Sequence, residues 1–188
     1  MNLIIFGPPG AGKGTQADFI VNKYNLYQLS TGELLRNEIK NKTILGKEIS
    51  SIINSGTLVS DSIVKKLVEN FISENKYKNR LIFDGYPRNL NQAKTLNELL
   101  NKYDQKINLV LRLSVSLETI KKRISERRTL EKRADDSEEI AIKRYKTYEK
   151  STEPVIEYYK KLNLLKVIDG ERSIDQINKE ISDIITLI

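Results

Sequence analysis

The chain has 188 residues, of which 39% are hydrophobic and 30% are charged, a balance typical of one globular domain with an ordinary core. It contains neither cysteine nor histidine, which excludes disulfides, thiolate metal sites and the usual general base near neutral pH. The net charge of +7 indicates an anionic partner, which could be nucleic acid, a membrane surface or a small phosphate compound.

Predicted strands and helices alternate along the chain, because compact apolar runs are followed by segments in which apolar residues recur with helical spacing. The predicted strands cover residues 2–6, 27–29, 81–83, 107–113 and 164–168. The predicted helices cover residues 13–24, 30–40, 46–54, 61–72, 90–103 and 116–127, with further helices beginning at 136 and after 173. This alternation predicts an α/β fold in which a parallel five-stranded sheet is covered by helices on both faces.

Local sequence signals predict where several helices begin or break. Three residue pairs have the spacing of a helix-capping box, namely Ser30 with Glu33, Asp136 with Glu139, and Ser173 with Gln176. Pro154 lies too far along its helix for an uninterrupted run, so we expect a break near residues 151–152. The residues of the last helix that we expect to face the core are Ile174, Ile177, Ile181 and Ile185.

The strongest functional signal is the segment 7–15, which reads Gly-Pro-Pro-Gly-Ala-Gly-Lys-Gly-Thr between a predicted strand and a predicted helix. It meets the G-x-x-x-x-G-K requirement of a phosphate-binding loop, although Gly14 separates Lys13 from Thr15. Glycines let successive backbone N–H groups point at one phosphate, and the helix adds its positive dipole end. A plain Gly-Pro turn is the alternative, but the strand–loop–helix context favours binding of a nucleoside triphosphate.

This loop variant resembles that of the nucleoside monophosphate kinases, and of the adenylate kinase family in particular. Segments that extend the likeness over nearly the whole chain are Leu29–Arg36, Leu58–Asp61, Asp84–Arg88 with Gln92, Arg133 with Asp135–Asp136, and Thr152–Ile156. The resemblance implies a phosphate-loop core at residues 1–29, 60–125 and 137–188, a small helical monophosphate-binding insert at 30–59, and a short lid at 126–136. Five residues separate Arg127 from Arg133, so the long, zinc-holding lid of other members is not expected.

The resemblance implies reversible transfer of one phosphoryl group between Mg·ATP and AMP, with two molecules of ADP as the product. The implied catalytic residues are Lys13, Arg88, Arg123, Arg133 and Arg144. The implied ATP-binding residues are Gly10, Ala11, Gly12, Lys13, Gly14, Thr15, Arg127 and, through its main-chain carbonyl, Arg172. The implied AMP-binding residues are Thr31, Arg36, Thr57, Leu58, Val59, Gly85, Tyr86, Pro87, Arg88, Gln92, Arg133 and Arg144.

Arginine suits these positions because its planar fork binds phosphate through two hydrogen bonds, whereas lysine offers only a point charge. Arg123 and Arg127 are four residues apart, so they share one face of their predicted helix. Any single arginine of this set is more simply explained as a surface ion-pair partner. Six arginines at matching positions, in a chain without histidine, favour a site that neutralises phosphate charge; they are Arg36, Arg88, Arg123, Arg127, Arg133 and Arg144.

Three carboxylates belong to the same segments. Asp84 follows a buried strand beside the phosphate loop, where it could hold Mg²⁺ through water; the alternative is that it caps the turn at 85–88. The resemblance also implies a cis bond between Tyr86 and Pro87. Asp135 and Asp136 could cap a helix and supply its first-turn acid, or they could pair with lid arginines when the lid closes.

Two residues bear on the acceptor nucleotide. Thr31 and Gln92 match the adenylate kinases, whereas the related UMP/CMP kinases usually carry Ala and Asn at these positions. A glutamine amide can pair its donor and its acceptor with a purine edge, so AMP is the expected acceptor and UMP/CMP kinase is the alternative. Thr57 and Val59 would line the same pocket, and we expect the backbone around them to contribute to recognition of the acceptor base.

Two other classes of protein remain to be considered. The basic charge would suit a nucleic-acid-binding ATPase, but the cations lie in phosphate-site segments, without interleaved aromatic residues. The other class is a phosphate-loop switch that binds nucleotide and turns over slowly, but such a switch would not need the second substrate pocket that this sequence implies. We therefore expect no nucleic-acid or membrane partner and, from the family, a monomer. The absence of an apolar run of about 20 residues or of a signal segment favours a cytoplasmic location.

Overall fold

A computed structural model of the chain describes residues 1–131 and 134–188. Its five strands are β1 (Asn2–Phe6), β2 (Tyr27–Ser30), β3 (Leu81–Asp84), β4 (Ile107–Ser114) and β5 (Leu165–Asp169). All paired strands run parallel, in the order β2-β3-β1-β4-β5. Every residue of β1 and β3 is buried, as expected for parallel strands covered on both faces. The predicted α/β fold with a parallel five-stranded sheet is therefore confirmed.

Helices cover both faces of this sheet. The described α-helices are α1 (Lys13–Tyr24), α2 (Thr31–Lys40), α3 (Ile44–Asn54), α4 (Asp61–Ser73), α5 (Leu90–Lys102), α6 (Leu117–Glu131), α7 (Glu138–Lys161) and α8 (Ile174–Thr186). Alternate side chains of β1 point to opposite faces: Leu3 and Ile5 pack with α1 and α8, whereas Ile4 and Phe6 pack with α4, α5 and α7. No helix among residues 1–131 and 134–188 is both long and apolar enough to cross a bilayer.

The carboxyl ends of β1, β3 and β4 form the edge of the sheet that carries the site. In the strand register Asp84 lies opposite Ile5, so the end of β3 meets the loop that follows β1. The insert formed by α2 and α3 lies near this edge, and its two helices pack tightly. A Cβ atom at Gly46 would lie 2.0 Å from the Glu38 carbonyl oxygen, so glycine is required where the two helices meet.

The structure corrects two of the predicted capping boxes. Ser173 and Gln176 form both halves of the box at the start of α8. Ser30 precedes α2, but its side chain makes no capping hydrogen bond. The N-cap of α7 is Ser137, whose side chain accepts from the Ile140 N–H; Asp136 does not cap the helix, because its carboxylate is bound by arginines.

The predicted break near residues 151–152 is also wrong, since α7 continues from Glu138 to Lys161 with Pro154 inside it. An internal proline costs about 3 kcal/mol. Three side chains that follow it, Val155, Ile156 and Tyr159, are fully buried, and each buried apolar side chain contributes roughly 1.5–3 kcal/mol. Packing of the second half of α7 against the core therefore outweighs the local cost.

Two smaller expectations also fail. The basic helix predicted for 116–127 extends to Glu131, because its sequence offers neither glycine nor proline to stop it. Ile177, Ile181 and Ile185 face the core as predicted, but Ile174 is 56% exposed. Ile174 is the first residue of α8 and lies at the wall of the larger cavity described below, so helical periodicity alone misplaces it.

Candidate active site

The loop between β1 and α1 has the conformation that a phosphate-binding loop requires. Gly10 and Gly12 both adopt positive φ angles, 84° and 92°, which side-chain-bearing residues rarely do. A Cβ atom at Gly10 would also lie 2.9 Å from the Ile124 side chain. Gly12 occupies the N-cap position of α1, so the free N–H groups of the first helical turn open onto the loop.

The cations nearest this loop are held by backbone carbonyl groups. The Lys13 ammonium donates to the carbonyl oxygens of Gly7 (2.8 Å) and Pro8 (3.1 Å). The Arg123 guanidinium, on α6, donates to the carbonyls of Ala11 (3.3 Å) and Gly170 (2.9 Å). Both side chains are therefore fixed beside the loop by neutral partners, and their charges stay available to an anion.

A large cavity of about 950 Å³ opens over this loop. Its walls include the predicted ATP-binding residues Gly10, Ala11, Gly12, Lys13, Gly14, Thr15, Arg127 and Arg172. Apolar residues Leu130, Ile174 and Ile177 also line this cavity, so its lining is both cationic and apolar. The Arg172 side chain pairs with Asp169 and Glu180.

Asp84 lies at the end of β3 and lines the same cavity together with Thr15. One of its carboxylate oxygens accepts a hydrogen bond from the Gln28 side chain (3.1 Å), which orients the group. A carboxylate and a hydroxyl are oxygen donors of the kind Mg²⁺ takes when substrate phosphates and water complete its shell. The donor set therefore fits a magnesium ion bound with the nucleotide.

A second, smaller cavity of about 120 Å³ lies between the insert and α7. Predicted AMP-binding residues in its walls are Arg36, Thr57, Leu58, Val59, Gly85, Pro87, Arg88 and Arg144. The Arg88 guanidinium donates to the Gly85 carbonyl at 2.7 Å. The bond between Tyr86 and Pro87 is cis, as the resemblance implies.

The two cavities share a wall that carries most of the positive charge. Lys13, Arg36, Arg88 and Arg144 line both cavities. Burial lowers the pKa of Arg88 to about 10, and the charges of Arg144 and Arg36 add to this effect against the opposing Asp84 and Asp135. Burial likewise lowers the pKa of Lys13 to about 8, opposed by Asp84. An anion placed between the cavities would relieve this crowding of cations.

Two buried carboxylates, Asp135 and Asp136, bind Arg127 and Arg144 at the base of the predicted lid. Asp136, which is fully buried, accepts two hydrogen bonds from Arg127 at 2.7 and 2.6 Å. Arg144 lies 2.9 Å from Asp135 and 3.3 Å from Asp136. Burial lowers the pKa of Arg127, but the hydrogen bonds and charge of Asp136 outweigh that effect and raise it. Of the two interpretations of these aspartates, the structure supports arginine pairing.

Some predicted site residues lie beside the cavities or outside the described part of the chain. Among the described residues, Thr31, Tyr86 and Gln92 lie next to the smaller cavity without forming its wall. The Thr31 hydroxyl donates to the Gly85 carbonyl at 2.9 Å, and the Gln92 amide bonds to the backbone of Arg88. The role predicted for Arg133 falls outside the described residues.

The sequence did not identify several residues that form the smaller cavity. Thr147, Tyr148 and Thr152 of α7 contribute to its walls, and the Thr152 hydroxyl donates to the Arg88 carbonyl at 3.1 Å. The segment at 152–156 pointed to this region, but Thr147 and Tyr148 carry no local signal. Only the packing of α7 across the sheet edge brings them to the site.

Comparison with known proteins gives a consistent result. A family model described as Adenylate kinase matches residues 5–164. The chain is 46% identical to the adenylate kinase of Pelagibacter ubique, across 98% of this chain and 99% of that relative. It is 45% identical to that of Prochlorococcus marinus strain MIT 9301, across 96% of each, and 42% identical to that of Fusobacterium nucleatum, across 98% of each. The chain belongs to the adenylate kinase family of phosphotransferases.

Proposed function

We propose that the chain catalyses Mg²⁺-dependent phosphoryl transfer between ATP and AMP, with ATP in the larger cavity and AMP in the smaller one. The observation that carries this proposal is the wall shared by the two cavities. Lys13, Arg36, Arg88 and Arg144 line both of them. Phosphoryl transfer needs two phosphates brought into line in a site that neutralises their charge, and two cavities with one cationic wall meet that need.

The ATP phosphates would be bound by the backbone N–H groups of residues 10–15, the dipole of α1 and the Lys13 ammonium. Arg123 is held beside the loop by Ala11 and Gly170, and it would contact the outer phosphates. From the lid segment, Arg127 is proposed to bind ATP, and Arg133 is proposed to act in catalysis and in AMP binding. The Arg172 main-chain carbonyl is proposed to contact the ATP base. Asp84 would hold Mg²⁺ through water, and the ion would shield charge between the β- and γ-phosphates.

The AMP phosphate would be bound by Arg36 and Arg88, which frame Gly32: a Cβ atom there would lie 3.2 Å from Arg36 and 3.5 Å from Arg88. The base would lie near Thr57, Leu58 and Val59, within reach of Gln92. In the reaction an oxygen of the AMP phosphate bonds to the γ-phosphorus while the bond to the β-phosphate bridging oxygen breaks. ATP and AMP thus become two molecules of ADP without a net change of water or protons.

The proposed domain division is a core at residues 1–29, 60–125 and 137–188, an AMP-binding segment at 30–59 and a short lid at 126–136. The lid would exclude water, which could otherwise accept the phosphoryl group. We also propose that the chain acts as a monomer in the cytoplasm, where it would keep the adenine nucleotides in balance.

The test is to incubate the purified protein with Mg·ATP and separately with AMP, CMP or UMP, and to separate the nucleotides by chromatography. We expect ADP to form rapidly with AMP and little product with the pyrimidine nucleotides. Lys13→Met should lower the rate by about 10²–10³-fold, as expected when one preorganised electrostatic contact is lost. Lys23→Met is the matched control, because Lys23 lies on the same helix but bonds to Ser182 at its far end.

Three other results would contradict separate parts of the proposal. Turnover mainly with CMP or UMP would keep the transfer reaction and overturn the assignment of Thr31 and Gln92. Absence of transfer to any monophosphate would overturn the proposed reaction. Salt-sensitive retention on single-stranded DNA at physiological ionic strength would instead favour a nucleic-acid-binding ATPase.

A further inference from the structure

Asp61, the first residue of α4, accepts hydrogen bonds from three neutral amides. Its Oδ1 atom accepts from the side chains of Asn89 (3.0 Å) and Gln92 (2.7 Å), and its Oδ2 atom accepts from Asn91 (2.8 Å). Burial raises the pKa of Asp61, but the amide hydrogen bonds outweigh it, and the pKa lies below its ordinary value. The carboxylate therefore stays ionised and can act only as an acceptor.

The Gln92 amide is held at both of its atoms. Its oxygen accepts from the Arg88 backbone N–H at 2.7 Å, and its nitrogen donates to Asp61 at 2.7 Å. Rotating the amide by half a turn would place its oxygen against a carboxylate oxygen and its NH₂ group against the Arg88 N–H. Both contacts would be repulsive. The orientation of the amide is therefore fixed, because the Arg88 N–H can only donate and the Asp61 carboxylate can only accept.

In this arrangement the Gln92 amide can make two more hydrogen bonds, because Asp61 and Arg88 use only one N–H of its nitrogen and one lone pair of its oxygen. An adenine edge offers an amino donor at C6 and an acceptor at N1, which match an amide oxygen and an amide N–H. A 6-oxopurine offers the reverse pair, a carbonyl acceptor and an N1–H donor. The orientation of the amide therefore decides which purine it can pair with, and a mismatched base leaves buried polar groups unpaired.

We propose that Asp61 is a positioning residue that fixes the Gln92 amide in the orientation that selects AMP over 6-oxopurine monophosphates. The inference rests on the proposed function, in which Gln92 contacts the acceptor base. Asp61 itself contacts Gln92 but lines neither cavity described above. Asn89 supports the arrangement, since its side-chain oxygen accepts from the Gln92 backbone N–H at 2.8 Å while its amide nitrogen donates to Asp61.

The test compares kcat/KM for AMP and for IMP in three variants of the full chain. Asp61→Ala removes the acceptor, and the AMP-to-IMP ratio should fall about tenfold, the equivalent of the roughly 1.4 kcal/mol that one oriented hydrogen bond can supply. The change should lie mainly in KM for AMP, with KM for ATP unaltered. Asp61→Asn keeps an oxygen toward Gln92, so it should restore the ratio. Asn91→Ala removes only the outer amide and should leave the ratio unchanged.

A second readout does not depend on catalysis. In the nucleotide-free protein, the ¹⁵N-resolved side-chain amide of Gln92 should show one proton protected from exchange, and this protection should be lost in Asp61→Ala but kept in Asn91→Ala. An unchanged ratio in folded Asp61→Ala, or equal loss in Asp61→Ala and Asp61→Asn, would overturn the inference. If Gln92→Ala left the ratio unchanged, the base-reading role in the proposed function would fail instead, whatever the amide spectrum shows.

Discussion

Lys13 is the residue in the site whose charge responds most directly to pH near neutrality. Burial lowers its pKa to about 8, although Asp84 opposes the shift. A bound phosphate would stabilise the charged form and raise the pKa again. Above pH 8, ATP should therefore bind with proton uptake, and its affinity should fall as the pH rises toward 9. Calorimetric titrations in two buffers with different ionisation enthalpies measure this uptake directly.

A matched variant identifies the group responsible. In Lys13→Arg the side chain stays protonated in this range, so proton uptake on ATP binding should disappear between pH 8 and 9. Uptake that persisted in Lys13→Arg would assign the titration to another group. Arg88, with its pKa lowered to about 10, would contribute only at higher pH.

The lowered pKa of Lys13 also makes the stability of the folded chain depend on pH. The unfolded chain has its lysine near the ordinary pKa of 10.5, whereas the folded chain has it near 8. Below pH 8 both states hold the proton, and the folded state carries the full cost of the buried charge. Between pH 8 and 10.5 the unfolded state binds more protons, so this contribution to stability rises with pH. Lys13→Met should accordingly raise Tm at pH 7, and its advantage over the parent should shrink by pH 9.5.

Among the helices, α8 provides the clearest test of how a local signal contributes to stability. Ser173 and Gln176 form both halves of its capping box. Ser173→Ala should lower the free energy of unfolding by about 1 kcal/mol, because an N-terminal N–H loses its partner. Urea unfolding measures the change. Ser60→Ala is the control: Ser60 precedes α4 without a side-chain capping bond, so its removal should cost less than about 0.5 kcal/mol. Equal losses of unfolding free energy in Ser173→Ala and Ser60→Ala would contradict the capping role of Ser173.

The three candidate capping boxes show why spacing alone predicts less than a structure does. Spacing establishes that a bond can form, but the competing partners decide whether it does. The side chains of Ser173 and Gln176 are both exposed, and each accepts a hydrogen bond from the backbone N–H of the other residue. Asp136 has the same spacing to Glu139, yet two arginines bind its carboxylate and Ser137 caps α7 instead. Arg127 lies nine residues before Asp136 on α6, and Arg144 lies eight residues after it on α7, so the four-residue capping pattern includes neither arginine.

The same distinction applies to the site as a whole. The phosphate loop and Asp84 were predictable because each lies at the end of a strand whose apolar pattern is local. The contributions of Thr147 and Tyr148 to the smaller cavity were not, since they follow from how α7 crosses the sheet edge. The support of Gln92 by Asp61 joins residues 31 positions apart. Sequence therefore predicts the groups proposed to bind phosphate better than the groups that orient other side chains of the site.

On the scale of the whole molecule, the two cavities differ in how far they are open. Residues 30–59, the proposed AMP-binding segment, already lie against α7, where a Cβ atom at Gly56 would be 3.1 Å from both Ile140 and Arg144. The smaller cavity has only about 120 Å³, below the roughly 300–1,000 Å³ typical of ligand sites. The larger cavity has about 950 Å³. Closure over ATP by residues 126–136 should therefore account for most of the change in shape, while AMP entry requires residues 30–59 to move outward first.

This difference predicts the effect of a ligand that fills both cavities at once. A bisubstrate analogue, two adenosines joined by five phosphates, should lower the radius of gyration measured by small-angle scattering, because the lid segment closes on the phosphates and expels water. Lys13→Met, which loses a contact to the phosphates, should show less compaction at the same analogue concentration. Scattering that did not change at saturation would mean that neither segment closes, and that water is excluded from the transferring phosphate by the fixed walls of the core alone.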